Sequence, residues 1–313
     1  MNRTKRIVAA ILAIAMCAVL FAGCGTKTES AKTGVEDGVL TVAMECAYAP
    51  YNWTQSDDSN GAVPIKDSSD YANGYDIMMA KKICEANGWK LEVVRLDWDS
   101  LVPAVQTGKV DAVIAGQSMT EERMQQVDFA GPYLYASIVC MTKQNSKYAN
   151  ATSLADLAGA KCTSQLGTIW YTTCLPQING ALIQTAQETA PSMLMALETG
   201  AVDFICTDMP TAMGAAAQDD NLVILNFSGT PGDFQFASEA ERAENVNIGI
   251  SVRKGNTVLK DAIDKVLSQM TEDDFNQLMD EAIRIQPEVE NGEIAAVRIG
   301  GEATLKHFHR QGD

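Results

Sequence analysis

One arginine in the sequence has the surroundings of an anion-binding residue. Arg123 ends the segment QSMTEER, in which Ser118 and Thr120 can cap a helix whose first turn contains the arginine. A helix amino terminus and a guanidinium group that converge on one point can hold a carboxylate through two parallel charge-assisted hydrogen bonds. In the alternative interpretation, Arg123 pairs with a neighbouring acidic side chain on a solvated helix face.

The segment that precedes this arginine has a second copy in the chain. Residues 105–116 read VQTGKVDAVIAG, and residues 197–208 read LETGAVDFICTD. Each copy runs from the end of an apolar helix through a tight turn into a short apolar strand, as in an α/β layer with a parallel sheet. The copies differ most at their last position, where Gly116 corresponds to Asp208. Two related α/β lobes account for this repeat.

The ends of the two repeated strands are candidate binding positions. Ligands of open α/β sheets bind in the crevice beyond the carboxyl ends of the strands. If the two lobes face each other, Gly116 and Asp208 therefore lie on the walls of one cleft. An acid at the end of a strand can instead cap the next helix, and the segment DMPTA that begins at Asp208 is consistent with that role.

The amino-terminal segment has the pattern of an export signal. Basic residues precede an apolar run over residues 7–22, which is short for a membrane span of about 20 residues and predicts a signal peptide over residues 1–23. A true membrane anchor is the alternative. The segment FAGC resembles a bacterial lipobox, which implies cleavage before Cys24 and a lipid on its sulfur. Residues 24–37 are then a flexible tether at the outer face of the cytoplasmic membrane.

Composition excludes several classes of function. The chain has 40 acidic and 24 basic residues and a formal net charge of −16, which argues against a nucleic-acid partner. Both histidines, His307 and His309, are near the carboxyl terminus, so the body of the chain has none for a Ser-His or Cys-His mechanism. The sequence has no C-x-x-C motif, so no zinc site is predicted. Cys162 and Cys174 are a candidate disulfide of an exported protein, and free buried thiols are the alternative.

Several longer segments together resemble one protein family. GYDIMMAKKI, DWDSLVPAVQTGKVDAVIAG, TEERMQQVDFAGPY, SQLGT and ISVRKGN follow one another between residues 40 and 285. With them the chain resembles the family 3 extracytoplasmic solute-binding proteins, the receptors of polar amino-acid ABC importers. The resemblance implies an α/β, two-lobed periplasmic-binding-protein fold of type II, in which each lobe is a central sheet flanked by helices and two hinge strands join the lobes. It implies that lobe 1 comprises residues 38–136 plus 250–286 and that lobe 2 comprises residues 137–249.

The resemblance also implies a function. The protein would capture a polar or cationic amino acid between its lobes and deliver it to a membrane permease, as a monomer without catalytic residues, cofactor or metal. Two alternatives belong to other classes. One is a dehydratase of small carboxylic acids on the same fold, with Glu45 or a neighbour as general acid. The other is a ligand-sensing receptor that signals by closing.

The family pattern assigns roles to individual residues. Arg123 would bind the ligand α-carboxylate with help from Ser118 and from the backbone amides of Gly116 and Thr168, and Asp208 would receive the α-ammonium group. The predicted ligand-binding residues are Glu45, Tyr48, Tyr51, Trp98, Gly116, Gln117, Ser118, Arg123, Gln165, Gly167, Thr168 and Asp208.

The ligand side chain would meet an acid and two aromatic rings. Glu45 occupies a position that is usually Asp in the family, and Tyr48 and Trp98 could sandwich the ligand side chain beside it. An acid between aromatic rings suits a cationic or amide group. In the alternative, both rings are core residues and Glu45 points to solvent. Tyr51 is usually Phe in the family.

Two segments depart from the family pattern. Residues 52–73 form a long polar loop beside the cleft, which either shapes the pocket or decorates its rim. Its DDSNG sequence lacks the alternating ligands and the closing Glu of a calcium loop. Residues 287–313 have no family counterpart and are interpreted as a mobile extension.

Overall fold

The computed structural model describes residues 33–287 and the backbone of two further strands within residues 294–307. The strands are β1 (Val39–Met44), β2 (Ala47–Tyr48), β3 (Asn52–Gln55), β4 (Val63–Pro64), β5 (Tyr71–Asn73), β6 (Lys90–Arg95), β7 (Ala112–Val113), β8 (Val127–Leu134), β9 (Ile138–Lys143), β10 (Lys161–Thr163), β11 (Leu182–Ile183), β12 (Phe204–Asp208), β13 (Leu222–Leu225), β14 (Ile248–Arg253), β15 (Ile294–Ile299) and β16 (Glu302–His307). The helices are α1 (Tyr75–Asn87), α2 (Trp98–Thr107), α3 (Glu121–Gln126), α4 (Ala190–Glu198), α5 (Met209–Gln218), α6 (Glu239–Val246), α7 (Thr257–Leu267) and α8 (Glu272–Ile285). The predicted signal peptide and lipidation site at Cys24 lie outside the described residues.

Two five-stranded sheets share one topology. Their orders are β6-β1-β7-β14-β8 and β11-β10-β12-β9-β13. In each sheet the first three strands are parallel, and the fourth is antiparallel to both of its neighbours. The chain passes from the first sheet to the second between β8 and β9 and returns before β14. This arrangement confirms the predicted α/β class with sheets flanked by helices.

The sequence repeat supplies the middle strand of each sheet. β7 and β12 are both third in order, and each follows a helix, α2 or α4. Both helices are followed by a left-handed glycine, Gly108 with φ of 74° and Gly200 with φ of 76°. A glycine adopts this conformation without the steric cost of a Cβ atom and ends the helix. The repeated Thr-Gly is therefore a helix stop in both copies.

Residues 52–73 contribute to a small separate sheet of order β2-β3-β5-β4. Lys66 joins this segment to β6 through a backbone hydrogen bond to Val93 (2.8 Å) and an ion pair with Glu92 (2.8 Å). The amides of Gln55 and Asn73 donate to backbone carbonyls of residues 57–60. Backbone carbonyl groups of the DDSNG loop thus accept hydrogen bonds from neighbouring side-chain amides.

The candidate disulfide between Cys162 and Cys174 does not form. All six cysteines from Cys46 to Cys206 are free and buried, which confirms the interpretation as buried thiols. Cys206 on β12 lies directly opposite Cys140 on β9, and its thiol interacts with those of Cys140 and Cys174. Cys174 thus has a thiol partner on β12, whereas Cys162 is on β10.

The carboxyl-terminal extension contains an element that the sequence did not predict. β15 and β16 pair antiparallel, with Ile294 opposite His307 and Ile299 opposite Glu302.

Within the described part of the chain, none of the helices combines the length and apolar character required to cross a membrane.

Candidate ligand-binding site

Asp208 is a helix cap, one of the two roles that the sequence left open, and it also has partners on the first sheet's side. One carboxylate oxygen, Oδ1, accepts the backbone N–H of Thr211 (2.8 Å) and so caps α5. The other, Oδ2, accepts the hydroxyls of Tyr48 (2.9 Å) and Tyr51 (3.3 Å), which come from segments that follow β1 of the first sheet. Asp208 is fully buried, and burial raises its pKa while these hydrogen bonds oppose the rise. A helix cap therefore also joins the two sheets.

Arg123 has hydrogen-bond partners but no acidic one. Its guanidinium donates through Nη1 to the carbonyl of Ser118 (2.9 Å) and through Nη2 to the carbonyl of Gly167 (3.0 Å), and it lies 5.3 Å from the ring centroid of Trp98. The ion pairs formed among residues 33–287 do not include Arg123, so the solvated ion-pair alternative is wrong. Burial lowers the pKa of Arg123 to about 10, which leaves the group charged at neutral pH.

Glu45 is buried rather than exposed, so the alternative in which it points to solvent is wrong. It is 6% exposed, and the side-chain amide of Gln165 donates to its Oε2 at 3.3 Å. Burial raises the pKa of Glu45 from 4.5 to about 7, Asp97 and Asp99 add to the rise, and the hydrogen bond from Gln165 opposes it. Near neutral pH this carboxyl group is poised between its two protonation states.

The aromatic side chains do not form the predicted sandwich. The rings of Tyr48 and Trp98 meet edge to face, with centroids 6.5 Å apart and planes at 78°. Tyr48 instead stacks on Tyr51 at 4.9 Å and 28°. Tyr48 and Tyr51 are buried in the hydrophobic core, as the alternative proposed for Tyr48, yet their hydroxyls reach Asp208.

Gly116 and Gln117 have partners other than the predicted ones. The N–H of Gly116 donates to the hydroxyl of Tyr133 at 3.1 Å and is not free to assist a ligand carboxylate. A Cβ atom at this position, where φ is +62°, would lie 2.9 Å from Cε1 of Tyr48, so the glycine makes room for an aromatic ring. The buried side chain of Gln117 accepts the hydroxyl of Ser251 at 3.2 Å and does not line the cavity described next.

A small cavity, with a volume of about 10 Å³, lies beside Arg123. Its lining residues are Tyr48, Trp98, Gly116, Ser118, Arg123, Gln165, Thr168, Ile169 and Trp170. Seven of these were predicted from the sequence, and Ile169 and Trp170 were missed although they directly follow the SQLGT segment. None of residues 52–73 is among them, so the inserted segment does not form the cavity wall.

Four other predicted residues contact the residues that line the cavity. Glu45 and Asp208 are within hydrogen-bond distance of lining side chains, Gly167 contacts Arg123, and Tyr51 packs on Tyr48. The Thr168 hydroxyl donates to the carbonyl of Gln165 at 2.7 Å and closes the turn that carries both side chains. A cationic group, two carboxyl groups and aromatic faces are thereby collected around one cavity, a set that can bind a small zwitterion.

The fold and the site define an extracytoplasmic solute-binding protein of the two-lobed type. Residues 40–283 match the model of the bacterial extracellular solute-binding proteins, family 3, and the chain belongs to this family. The probable histidine-binding protein of Campylobacter jejuni subsp. jejuni is 28% identical over 246 residues, which cover 77% of this chain and 89% of that protein.

Solved structures share the two-lobed fold. An ancestral arginine-binding protein bound to arginine is 30% identical with a TM-score of 0.61, over 78% of this chain and 97% of that chain. An ancestral amino acid-binding protein described as a precursor of cyclohexadienyl dehydratase is 27% identical with a TM-score of 0.63, over 80% and 97%. The predicted family and fold are therefore confirmed.

Proposed function

We propose that this protein captures an amino acid between two lobes and delivers it to the permease of an ABC importer. The observation that carries the proposal is the guanidinium of Arg123, which lines the cavity without an acidic partner among residues 33–287. A partly buried cation without a counter-ion is costly unless a ligand supplies the negative charge. The ligand carboxylate takes that role, and Ser118 and Thr168 line the same cavity.

The α-ammonium group of the ligand is assigned to Asp208. Its Oδ2 already accepts two tyrosine hydroxyls and its Oδ1 one backbone amide, which leaves capacity for a further donor because a carboxylate offers about four acceptor positions. A zwitterionic ligand then bridges Arg123, on the side of the first sheet, and Asp208, at the end of a strand of the second sheet. Binding would draw the two walls together, as in the closure of hinged binding proteins.

The ligand side chain is proposed to be cationic. Glu45 is bonded to Gln165, a lining residue, and a guanidinium or ammonium group that displaces the amide would pair with the carboxylate. The tyrosine and tryptophan rings that border the cavity favour a cation as well. A relative named for histidine and a neighbour bound to arginine support this assignment.

The lobes are assigned to residues 38–136 plus 250–286 and to residues 137–249, in agreement with the strands that each sheet contains. Side-chain hydrogen bonds that cross between them include those from Tyr48 and Tyr51 to Asp208, from Gln165 to Glu45, from Arg123 to Gly167 and from Gln286 to Gly214. We further propose that the chain acts as an exported monomer that is anchored by a lipid on Cys24. The protein is not assigned a catalytic reaction.

A thermal-shift screen of the twenty common amino acids, followed by calorimetry, tests the proposal. Arginine, lysine or histidine should raise the melting temperature, and a hundredfold excess over the dissociation constant corresponds to about 2.7 kcal/mol. Arg123→Ala should lose the shift, while Lys66→Ala, which changes an exposed cation on the small sheet, should keep it. If no amino acid stabilises the unchanged protein, the proposal is wrong.

Two observations favour a second candidate, a carboxylic-acid dehydratase. The pKa of Glu45 of about 7 suits a general acid, and one structural neighbour is a precursor of cyclohexadienyl dehydratase. Such an enzyme would release water from a hydroxylated cyclohexadienyl carboxylate, which an absorbance assay of the aromatic product detects. Turnover that Glu45→Gln abolishes would support this reading over capture alone.

A further inference from the structure

Asp76 is a buried carboxylate that the ligand site does not use directly. It is the second residue of α1, within the segment GYDIMMAKKI, and it is fully buried. Its Oδ1 accepts the hydroxyl of Tyr133 at 2.5 Å, and its Oδ2 accepts the side-chain amide of Asn52 at 2.7 Å. The ion pairs within residues 33–287 do not include Asp76, so its burial is offset by neutral donors, to which the backbone N–H of Gly116 also contributes.

Asn52 extends this contact to the turn after β1. Its Oδ1 accepts the backbone N–H of Cys46 at 2.7 Å. Cys46 has φ of +54°, a left-handed conformation that few residues other than glycine adopt. The turn at Cys46 separates Glu45 from Tyr48, so its shape sets the direction of both side chains.

Tyr133 extends the other contact to the turn after β7. Its hydroxyl donates to Asp76 and accepts the N–H of Gly116 at 3.1 Å. Gly116 is also left-handed, with φ of +62°, and the chain beyond it leads to Ser118 and then to Arg123. Because β1 and β7 are neighbours in the sheet, both left-handed turns lie at the same carboxyl edge.

We propose that Asp76 is a positioning residue for the ligand site, which through Asn52 and Tyr133 holds the two left-handed turns from which the cavity side chains extend. A buried backbone N–H needs an acceptor, and at each turn one side chain bonded to Asp76 provides it. A carboxylate that receives two donors fixes both at once. This inference rests on the proposed function for its effect on affinity.

A matched pair of tyrosine variants tests the effect on the ligand site. Tyr75 and Tyr133 are both buried and their rings stack at 5.6 Å, but the Tyr75 hydroxyl donates to the backbone carbonyl of Tyr133 and not to Asp76. Tyr133→Phe should weaken L-arginine binding about tenfold in calorimetry, the equivalent of one lost hydrogen bond. Tyr75→Phe should leave the dissociation constant within about twofold while also lowering stability. Equal changes in both variants, or no change in Tyr133→Phe, would overturn the proposal.

Amide hydrogen exchange in the ligand-free protein tests the same network without any ligand. Tyr133→Phe should speed exchange at Gly116 and not at Cys46, whereas Asn52→Ala should do the reverse, and Asp76→Asn should speed both. Exchange that rises equally at the two turns in each single variant would show general loosening and contradict the network. If the unchanged protein binds no arginine but the exchange pattern appears, the proposed ligand is wrong and the positioning network stands.

Discussion

Glu45 should make the affinity for a cationic ligand depend on pH near neutrality. Burial raises its pKa to about 7, so the group is mostly protonated in acid and mostly ionised in base. If L-arginine binds only the ionised form, the apparent dissociation constant varies inversely with the ionised fraction. That fraction is about 3% at pH 5.5 and about 97% at pH 8.5, so affinity should rise about 30-fold over this range.

The raised pKa of Glu45 should also make the ligand-free protein less stable as pH rises, whereas it makes ligand affinity higher. The folded pKa of Glu45 lies above its ordinary value of 4.5, so its contribution to stability is fully present below pH 4.5 and is lost as pH rises to about 7. The loss is about 3 kcal/mol, since each pKa unit corresponds to about 1.4 kcal/mol. Urea unfolding without ligand should therefore weaken over the range in which arginine binding strengthens.

Calorimetry with L-arginine at pH 5.5, 7 and 8.5 measures the affinity, and Glu45→Gln is the control. Burial also raises the pKa of Asp76 to about 7, and Asp76 remains in the control, so a flat profile in Glu45→Gln assigns the dependence to Glu45. Binding near pH 7 should also release protons, which titrations in buffers of different ionisation enthalpy detect. A flat profile in the unchanged protein, or an unaltered profile in Glu45→Gln, would refute the reasoning.

Three other substitutions have defined outcomes. Arg123→Lys keeps the charge but loses the planar fork, and calorimetry should show affinity lower by about 1.5–3 kcal/mol; equal affinity would mean that no bidentate carboxylate is bound. Asp208→Ala should cost about 1 kcal/mol in urea unfolding through the lost helix cap and about 2–5 kcal/mol in ligand affinity, and a variant that loses only stability would leave the aspartate a cap alone. Gly116→Ala places Cβ 2.9 Å from the Tyr48 ring at a φ of +62°, so thermal unfolding should show a loss of about 1–3 kcal/mol, and unchanged stability would contradict the close packing.

The fold was predictable because its signals are local. The Thr-Gly of each repeat ends a helix, and the apolar residues that follow form the middle strand of each sheet. Thr120 caps α3, accepting the N–H of Arg123 at 3.3 Å, as the sequence QSMTEER predicts. Such features depend on residues within a few positions of one another and need no knowledge of the rest of the chain.

Two of the predicted roles that the structure alters involve distant partners. The amide of Gly116 is taken by Tyr133 on β8, and the side chain of Gln117 is taken by Ser251 on β14. The sequence of the segment 116–118 does not contain either partner. Burial of Glu45 was also left open by the sequence, and its hydrogen-bond partner Gln165 follows β10 of the second sheet, far away in the chain.

The insertion and the extension were unpredictable for a different reason. Both lie where the family pattern offers no template, and both are rich in polar residues, which favours a loop interpretation. The inserted segment nevertheless forms strands, because β3 and β4 both pair antiparallel with β5, and Lys66 attaches the segment to β6. Secondary structure here follows from contacts that composition does not report.

The difference between the two repeats at their last residue has one structural explanation. The middle strand of the second sheet ends in Asp208, and the hydroxyls of Tyr48 and Tyr51 reach it from the first sheet's side. Those two rings pass over Gly116, where a Cβ atom would lie 2.9 Å from one ring and 3.1 Å from the other. A side chain at 116 would push both hydroxyls away from the aspartate. Gly116 of one repeat therefore makes room for the two tyrosine rings, and Asp208 of the other repeat accepts their hydroxyls. A ligand that binds at Asp208 must share its carboxylate with these two hydroxyls.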